Sequence, residues 1–270
     1  MTNLTLNDGR SMPQLGMGTW QIPDPQAALV VRKGIDLGFR LVDTAAIYGN
    51  ERGVGDGIKG ETGEDGDVWI TTKLWNDRHG DAAAALDESL SLLGVDAVDL
   101  YLMHWPVPRE DRFVEAWQAM IALRDAGKAR SIGVSNFLPE HLERLAAETA
   151  VVPAVNQIEL HPRFQQREAC EYHDAHGIVT QSWSPIGQGK DLLSDSAIVS
   201  IADRHGRSAA QVVIAWHLAK GFSVIPKASS PEHLSDNVAA ADLTLDEDDI
   251  AAIDAMDTAD GRLGPDPREM

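Results

Sequence analysis

The sequence is short of cysteine and of basic residues, and both shortages narrow what the protein can be. Cys170 is the one cysteine among 270 residues, so an intrachain disulfide is excluded and a reducing compartment is expected. Only 23 lysines and arginines stand against 42 aspartates and glutamates, which gives a net charge of −19. Electrostatic attraction to nucleic acid or to an anionic membrane surface is therefore disfavoured.

Long apolar runs are also missing. No run approaches the roughly 18 residues that a helix needs to span a bilayer. The start of the sequence, MTNLTLNDGR, lacks the basic end and apolar stretch of a secretory signal. With 43% hydrophobic residues, the chain can nevertheless bury a sizeable core. We expect a soluble, monomeric protein of the cytoplasm.

Short β-rich runs alternate with stretches of helical spacing along the whole chain. The eight runs start at residues 15, 40, 68, 98, 130, 153, 178 and 222. Between two of them, Phe113, Trp117 and Met120 share one helix face, and the long last interval holds two helical patterns, around 196–205 and 208–220. Eight such units without a linker predict a TIM-type (β/α)8 parallel barrel, one domain over residues 1–270, with its site at the carboxyl ends of the strands.

A doubly wound sheet is the alternative fold. Against it, no strand is followed by G-x-G-x-x-G, because Gly16 and Gly18 lack a third glycine at the required spacing. At the start of the chain, Asp8-Gly9 lies between alternating residues and predicts an N-terminal β-hairpin that would cover the open bottom of the barrel.

Titratable side chains lie at three successive predicted strand ends. Each has an ordinary explanation when taken alone: Asp43 can cap a helix, Tyr48 can be an interface aromatic, and His104 can be a structural histidine. Lys73 is harder to dismiss, because an ammonium group within a buried strand needs a charged partner. The four residues together favour a catalytic site.

Two other kinds of chemistry are weakly represented. His173 and His176 have the spacing of one helix face, but no third ligand follows, so a solvated helix end explains them better than a metal site. Cys170 lies in the middle of a predicted helix, and there is no G-x-S-x-G motif for a nucleophilic serine. We therefore predict no metal and no covalent nucleophile.

Several motifs resemble those of the aldo-keto reductases. They are GFRLVDTAAIYGNE (38–51), WITTKLW (69–75), VDLYLMHWP (98–106), GKARSIGVSNF (127–137), VNQIELHP (155–162) and IPK (225–227). Within that family, the bacterial 2,5-diketo-D-gluconate reductases look most similar. The resemblance implies the eight-stranded barrel, with NADPH bound in extended form without a Rossmann domain.

The resemblance also implies a catalytic tetrad of Asp43, Tyr48, Lys73 and His104. In this interpretation Tyr48 donates a proton to the substrate carbonyl, and Lys73 lowers the pKa of that phenol from its ordinary value of about 10 toward the working range. Asp43 would keep Lys73 charged and oriented. His104 would hydrogen-bond the carbonyl oxygen, on which negative charge develops.

By the same resemblance, Ser135, Asn136 and Gln157 hold the nicotinamide carboxamide, and Trp183 stacks on the nicotinamide where the family usually has tyrosine. Lys227 would meet the 2′-phosphate of NADPH, and Asn237 the adenine. The remaining predicted cofactor residues are Ser184, Ser229 and His233. Because His233 stands where the family often has a phosphate-binding arginine, weaker discrimination against NADH is expected.

The predicted substrate pocket is aromatic. It comprises Trp20, Ile47, Trp75 and Trp105, with Gln188 and the tail 261–270 as possible additions. An acidic substrate would need a cation, which Arg78, His79 or Arg262 could supply. The predicted reaction is NADPH-dependent reduction of 2,5-diketo-D-gluconate, or of general aldehydes and ketones such as methylglyoxal. A nicotinamide-binding regulatory or scaffold protein on the same barrel is the alternative from another class.

Overall fold

The computed structural model describes residues 2–60 and 68–270, and its main feature is a sheet of eight parallel strands. Two antiparallel strands precede this sheet, β1 (Asn3–Thr5) and β2 (Ser11–Pro13). The eight are β3 (Met17–Gly18), β4 (Leu41–Asp43), β5 (Trp69–Leu74), β6 (Val98–Met103), β7 (Ala129–Ser135), β8 (Val155–Glu159), β9 (Val179–Trp183) and β10 (Ser223–Val224). Each coincides with one of the eight runs that the sequence predicts, and only β7 starts before its run, by one residue.

The sheet closes into a barrel. The strands pair in chain order from β3 to β10 without a switch point. The first and last strands then meet, because Val224 N donates to Gln14 O at 2.8 Å and Gly16 N donates to Val224 O at 2.9 Å. The predicted barrel is confirmed, and the doubly wound alternative is wrong.

Ten α-helices lie within the described residues. They are α1 (Asp24–Leu37), α2 (Glu51–Ile58), α3 (Ala82–Leu93), α4 (Phe113–Asp125), α5 (Pro139–Thr149), α6 (Arg167–Ala175), α7 (Ser196–His205), α8 (Ala209–Ala219), α9 (Pro231–Ala239) and α10 (Glu247–Asp254). The two helices predicted in the last interval are α7 and α8. Ser208 starts α8 with a capping box, in which its hydroxyl accepts from Gln211 N. No helix in this part of the chain is long and apolar enough to cross a membrane.

The β1–β2 hairpin packs against the amino-terminal ends of the barrel strands. Its turn contains Gly9 at a φ of 85°, which suits glycine. The Ser131 hydroxyl donates to Asp8 Oδ2 at 2.6 Å, and Asn7 Nδ2 donates to Pro153 O at 3.0 Å. Leu6 and Met12 join the apolar cluster that fills the lower barrel. The hairpin therefore covers one end, as predicted, and leaves the carboxyl ends of the strands for a site.

Strand periodicity decides which side chains face that site. The apolar cluster inside the barrel includes Leu41, Leu100, Leu102 and Val155. Because side chains alternate across a strand, the residues two positions further along point to the same side. Asp43, His104 and Gln157 are thereby aimed into the barrel above this apolar layer.

Candidate active site

Lys73 lies at the centre of the polar layer inside the barrel and is 0% exposed. Its Nζ donates to Asp43 Oδ1 at 2.5 Å, to the Thr44 carbonyl oxygen at 2.8 Å and to the Tyr48 hydroxyl at 3.5 Å. An ammonium group has three donors, so this environment satisfies all of them. The buried lysine thus has the charged partner that its burial requires.

Tyr48 and His104 flank the lysine at the mouth of the barrel. Tyr48 ends a single 3-10 turn, Ala46–Tyr48, that follows β4. The Tyr48 and His104 rings meet edge to face with centroids 5.9 Å apart, and Trp75 meets His104 in the same way at 5.1 Å. The four predicted catalytic side chains therefore form one cluster, with an aromatic wall on one side.

Burial and charge set the protonation states in this cluster. Burial by itself lowers the pKa of Lys73, but the charge interactions and hydrogen bonds with Asp43 and Tyr48 together outweigh it, so the pKa is raised and the ammonium form is stabilised. Burial lowers the pKa of His104 well below its ordinary value, and the charge of Lys73 adds to that effect. His104 is therefore a neutral imidazole at neutral pH.

Lys73 lowers the pKa of Tyr48, as predicted, but the net pKa does not move toward the working range. Burial raises the pKa of this phenol above its ordinary value, and the attraction of Lys73 offsets only part of the rise. The reason is that a phenolate at this position would lose more solvation than one ammonium group returns. Tyr48 consequently remains a protonated phenol at neutral pH.

A second polar cluster connects directly to the first. Ser135 Oγ donates to the Gln157 carbonyl oxygen at 2.7 Å, and Asn136 Nδ2 donates to Ser135 Oγ and to His104 O, both at 3.0 Å. Gln157 Nε2 donates to Asp43 Oδ2 at 2.7 Å. The three residues predicted to hold a carboxamide thus lie beside the catalytic cluster, and all are buried.

Trp183 ends β9 at the edge of this cluster, and Ser184 is the next residue. Trp183 Nε1 donates to Asn136 Oδ1 at 2.8 Å, which fixes the orientation of the Asn136 amide. Ser184 has a φ of 50°, an unusual value for a residue other than glycine. Such backbone strain is common where a chain turns sharply at a functional site.

The residues predicted for the phosphate end lie in the loop after β10 and in α9. Lys227 follows β10 and is exposed, as are Ser229 and His233. Ser230 caps α9 by accepting from His233 N at 3.2 Å, and Asn237 is buried one turn further along. A helix N-terminus beside an exposed lysine is the donor set that binds phosphate groups, so these residues fit a nucleotide phosphate.

The predicted substrate residues differ in exposure. Trp20 is 47% and Ile47 is 48% exposed, and Trp75 is half-buried, whereas Trp105 is only 7% exposed and offers little surface. Of the three suggested cations, Arg78 is paired with Glu88 at 2.9 Å. His79 is buried and burial lowers its pKa, so it is a poor cation, and Arg262 lies over the Phe164 ring.

Two buried polar residues beside the site had no role in the prediction from sequence. Gln181 accepts from Gln157 Nε2 at 2.7 Å and donates to Ser223 Oγ at 2.9 Å, which extends the polar layer across β9 and β10. Glu159 at the end of β8 accepts two backbone hydrogen bonds from the tail. Glu159 lies two residues beyond Gln157, so period-two alternation could have identified it, and Gln181 is the register partner of Gln157 on β9.

The predicted solvated helix end at His173 is also wrong. His173 is 0% exposed, because α6 turns this side chain toward the sheet, and its ring nitrogens lie 2.9 Å from Asn156 Nδ2 and Thr180 Oγ1. Burial raises the pKa of Cys170 on the same helix to about 12, so this thiol is a poor nucleophile. Within residues 2–60 and 68–270, no three side chains of the metal-binding types cluster as a metal site would require.

Comparisons with known proteins agree with this architecture. The profile of the Aldo/keto reductase family matches residues 14–258. An aldo-keto reductase of Mycolicibacterium smegmatis is 49% identical over 267 residues, covering 98% of this chain and 96% of that protein. Methylglyoxal reductase DkgA of Escherichia coli K12 is 46% identical over 267 residues, with 98% and 97% covered. A crystal structure of a Gox0644 mutant in complex with NADPH has a TM-score of 0.95 at 47% identity, with 100% and 98% covered.

These matches extend over nearly the whole chain, so they concern the complete barrel and not one shared motif. The family profile begins in the segment that closes the barrel beside β3 and continues past α10. The resemblance drawn from the motifs is therefore confirmed, and this chain belongs to the aldo/keto reductase family.

Proposed function

We propose that this protein reduces aldehydes and ketones to alcohols with NADPH, and that Tyr48 donates the proton. The observation that carries the proposal is the cluster at the barrel mouth, where Lys73 contacts both Asp43 and Tyr48 while His104 packs against Tyr48. When bound, the cofactor supplies the hydride that reduces the carbonyl carbon.

The protonation states support this role for Tyr48. Burial raises its pKa, so the phenol is protonated at neutral pH and holds the proton that the product alcohol needs, and Lys73 reduces the cost of releasing it. As the proton leaves, the Lys73 ammonium group lies 3.5 Å from the oxygen that gains negative charge. The neutral His104 imidazole can donate a hydrogen bond to the carbonyl oxygen as it becomes an alkoxide.

Two groups of residues support NADPH as the cofactor. Ser135, Asn136 and Gln157 offer amide and hydroxyl groups next to the catalytic cluster, which suit a carboxamide. Lys227 and the start of α9 suit the 2′-phosphate. The NADPH complex of the similar Gox0644 mutant agrees with this choice. Because His233 is not an arginine, we propose that NADH is also used, with lower efficiency.

The substrate class that we propose is small uncharged carbonyl compounds such as methylglyoxal. Of the cations that an acidic substrate could use, Arg78 already pairs with Glu88 and His79 is buried. Arg262 is stacked on the Phe164 ring. A carboxylate would therefore have to draw Arg78 from Glu88 or Arg262 from the aromatic ring to gain a charged partner from this set. The exposed faces of Trp20 and Ile47 instead suit an uncharged substrate.

Two pairs of uncharged and acidic substrates test this proposal. The catalytic efficiency (kcat/KM) of the wild-type protein is measured with benzaldehyde and 4-carboxybenzaldehyde, then with methylglyoxal and 2,5-diketo-D-gluconate, with NADPH and NADH as donors. We expect the uncharged member of each pair to be reduced at least ~10-fold more efficiently, which equals about 1.4 kcal/mol of transition-state binding. A preference for 2,5-diketo-D-gluconate would show that the substrates are acidic carbonyl compounds and not the uncharged ones proposed here. NADPH binding without any reduction would favour a regulatory module.

A further inference from the structure

Glu159 is a buried carboxylate near the site that the proposed reaction does not use. It ends β8 and is 2% exposed. Its Oε1 accepts from Leu263 N at 2.6 Å and its Oε2 accepts from Gly264 N at 2.8 Å, so both oxygens bind successive amides of the carboxy-terminal tail. His161 Nε2 also lies 3.1 Å from Oε1.

These amides are important because they satisfy a buried charge. Within residues 2–60 and 68–270, no lysine or arginine pairs with Glu159, and the one basic side chain in contact with it is the His161 ring. A buried carboxylate is costly unless hydrogen bonds stabilise it. Detachment of the tail would remove two of the donors, so Glu159 holds residues 263–264 firmly over the end of β8.

The tail segment held by Glu159 lies directly against Trp183. A Cβ atom added to Gly264 would be 2.6 Å from Cη2 of the Trp183 indole and 3.1 Å from Glu159 Oε2. Such a contact is shorter than any side chain tolerates, so the tail can approach the indole only as bare backbone. The tail therefore limits the movement of the indole on this side.

The other side of Trp183 is connected to the catalytic cluster. Its Nε1 donates to Asn136 Oδ1 at 2.8 Å, and Asn136 Nδ2 donates to the His104 carbonyl oxygen at 3.0 Å. Trp183 is thus held between the tail and Asn136. A continuous set of contacts runs from Glu159 through Gly264 and Trp183 to Asn136.

We propose that Glu159 is a positioning residue that holds the tail against Trp183 and so sets the affinity for the nicotinamide ring and the fit of the carbonyl substrate. The inference deepens the proposed function and rests on it. Glu159 touches none of the reacting groups and acts through Gly264 and Trp183. Its loss should weaken binding of the cofactor and substrate while leaving proton transfer by Tyr48 intact.

The main test is Glu159→Gln, which keeps the shape but replaces one acceptor oxygen with an NH2 group that faces a tail amide. NADPH affinity is measured by quenching of tryptophan fluorescence, and methylglyoxal reduction by steady-state kinetics over pH. We expect the Kd for NADPH and the KM for methylglyoxal to rise roughly 5- to 10-fold, with kcat within about twofold of wild type and an unchanged pH profile of kcat.

A double-mutant cycle tests the route through the tail. Gly264→Ala should reproduce the effect, because its Cβ pushes the tail away from Trp183. If both changes act through the same contact, their effects should not add. The double variant should then have a Kd for NADPH no higher than that of the single variant with the higher Kd. Glu140→Gln is the matched control, because it removes the exposed Arg268–Glu140 pair of 2.9 Å further along the same tail. It should bind NADPH like wild type.

Several results would overturn the proposal. They are a wild-type Kd and KM in Glu159→Gln, additive effects in the cycle, or a loss of thermal stability in both variants with NADPH binding unchanged. If the wild type binds NADPH and reduces carbonyls while Glu159→Gln does so equally well, only the positioning role of Glu159 fails. If the wild type does not bind NADPH, the proposed function fails and the positioning role fails with it.

Discussion

Lys73 and Asp43 form an ion pair of 2.5 Å whose side chains are 0% and 2% exposed. The Lys128–Asp87 pair has the same Nζ to Oδ1 distance, but its side chains are 40% and 54% exposed. The chain therefore contains two lysine–aspartate pairs of equal length in opposite environments. Because solvation decides how much an ion pair contributes to stability, the two pairs should respond very differently to the loss of the carboxylate.

Asp43→Ala should lower the free energy of unfolding by about 3–5 kcal/mol, because it leaves the Lys73 ammonium group buried without a charged partner. Asp87→Ala should lower it by less than about 1 kcal/mol, because water replaces the exposed carboxylate. Urea denaturation followed by circular dichroism measures both values. Equal losses would show that burial of the Lys73–Asp43 pair does not determine its contribution.

Tyr48→Phe should reduce kcat for carbonyl reduction by about 10²–10⁴-fold, because it removes the proton donor and leaves the ring in place. The Kd for NADPH should stay within about threefold of wild type, since the hydroxyl bonds only Lys73 among the contacts described above. Steady-state kinetics and fluorescence titration measure the two quantities.

Tyr172→Phe is the control for that substitution. Tyr172 lies on α6 and stacks on His176 with centroids 4.0 Å apart, away from the barrel mouth. The kcat of the Tyr172→Phe variant should equal that of the wild type. Retention of full activity in Tyr48→Phe would remove Tyr48 from the proposed mechanism.

Lys227→Met should weaken NADPH binding roughly 10-fold, about 1.4 kcal/mol, and leave NADH binding nearly unchanged, because only NADPH carries the 2′-phosphate. Lys190→Met, which removes an exposed lysine from another loop, is the control. Binding of both cofactors is measured by fluorescence titration. Equal weakening of NADPH and NADH would place Lys227 elsewhere on the cofactor.

His233→Arg should increase the preference for NADPH over NADH roughly 10-fold, because a guanidinium group makes a charge-assisted, bidentate contact that imidazole cannot make. The ratio of kcat/KM values with the two cofactors gives this preference. An unchanged ratio would indicate that residue 233, although near the start of α9, does not reach the phosphate.

Acidification should destabilise the fold through its buried histidines. Burial lowers the pKa of His173 to about 4 and that of His217 to about 3, whereas an unfolded histidine titrates near 6.5. Below pH 6.5 these histidines bind protons in the unfolded chain but stay neutral in the folded core. The free energy of unfolding therefore has its full value above this pH and falls as the pH is lowered toward 4. Each histidine should cost about 2 kcal/mol at pH 5.

His173→Asn isolates one of these contributions. Unfolding free energies of the variant and the wild type are measured by urea denaturation at pH 8 and pH 5. The loss between the two pH values should be about 2 kcal/mol smaller in the variant. His176→Asn, which replaces an exposed histidine three residues away, should change the loss little. Identical losses in His173→Asn and wild type would contradict the prediction.

Features of the fold that depend on local interactions could be predicted from the sequence, whereas those that depend on tertiary contacts could not. Strands and helices were predicted in the right places because periods of two and of 3.6 residues are local properties of the chain. The identity of the polar residues at the strand ends could be read in the same way. The burial of His173 could not be predicted, because it depends on contacts between α6 and Asn156 of β8 and Thr180 of β9.

The sequence by itself determined the barrel, its hairpin and the set of residues that meet at its mouth, because alternation aims Asp43, Lys73 and His104 to one side. Only the tertiary structure decided their electrostatics. Desolvation raises the pKa of Tyr48 despite the neighbouring lysine, and the ring of Phe164, which is remote in sequence, contacts Arg262. The contact of Glu159 with the tail joins residues more than 100 positions apart. Solvation and long-range hydrogen bonds depend on neighbours that are remote in sequence, so no local pattern could predict them.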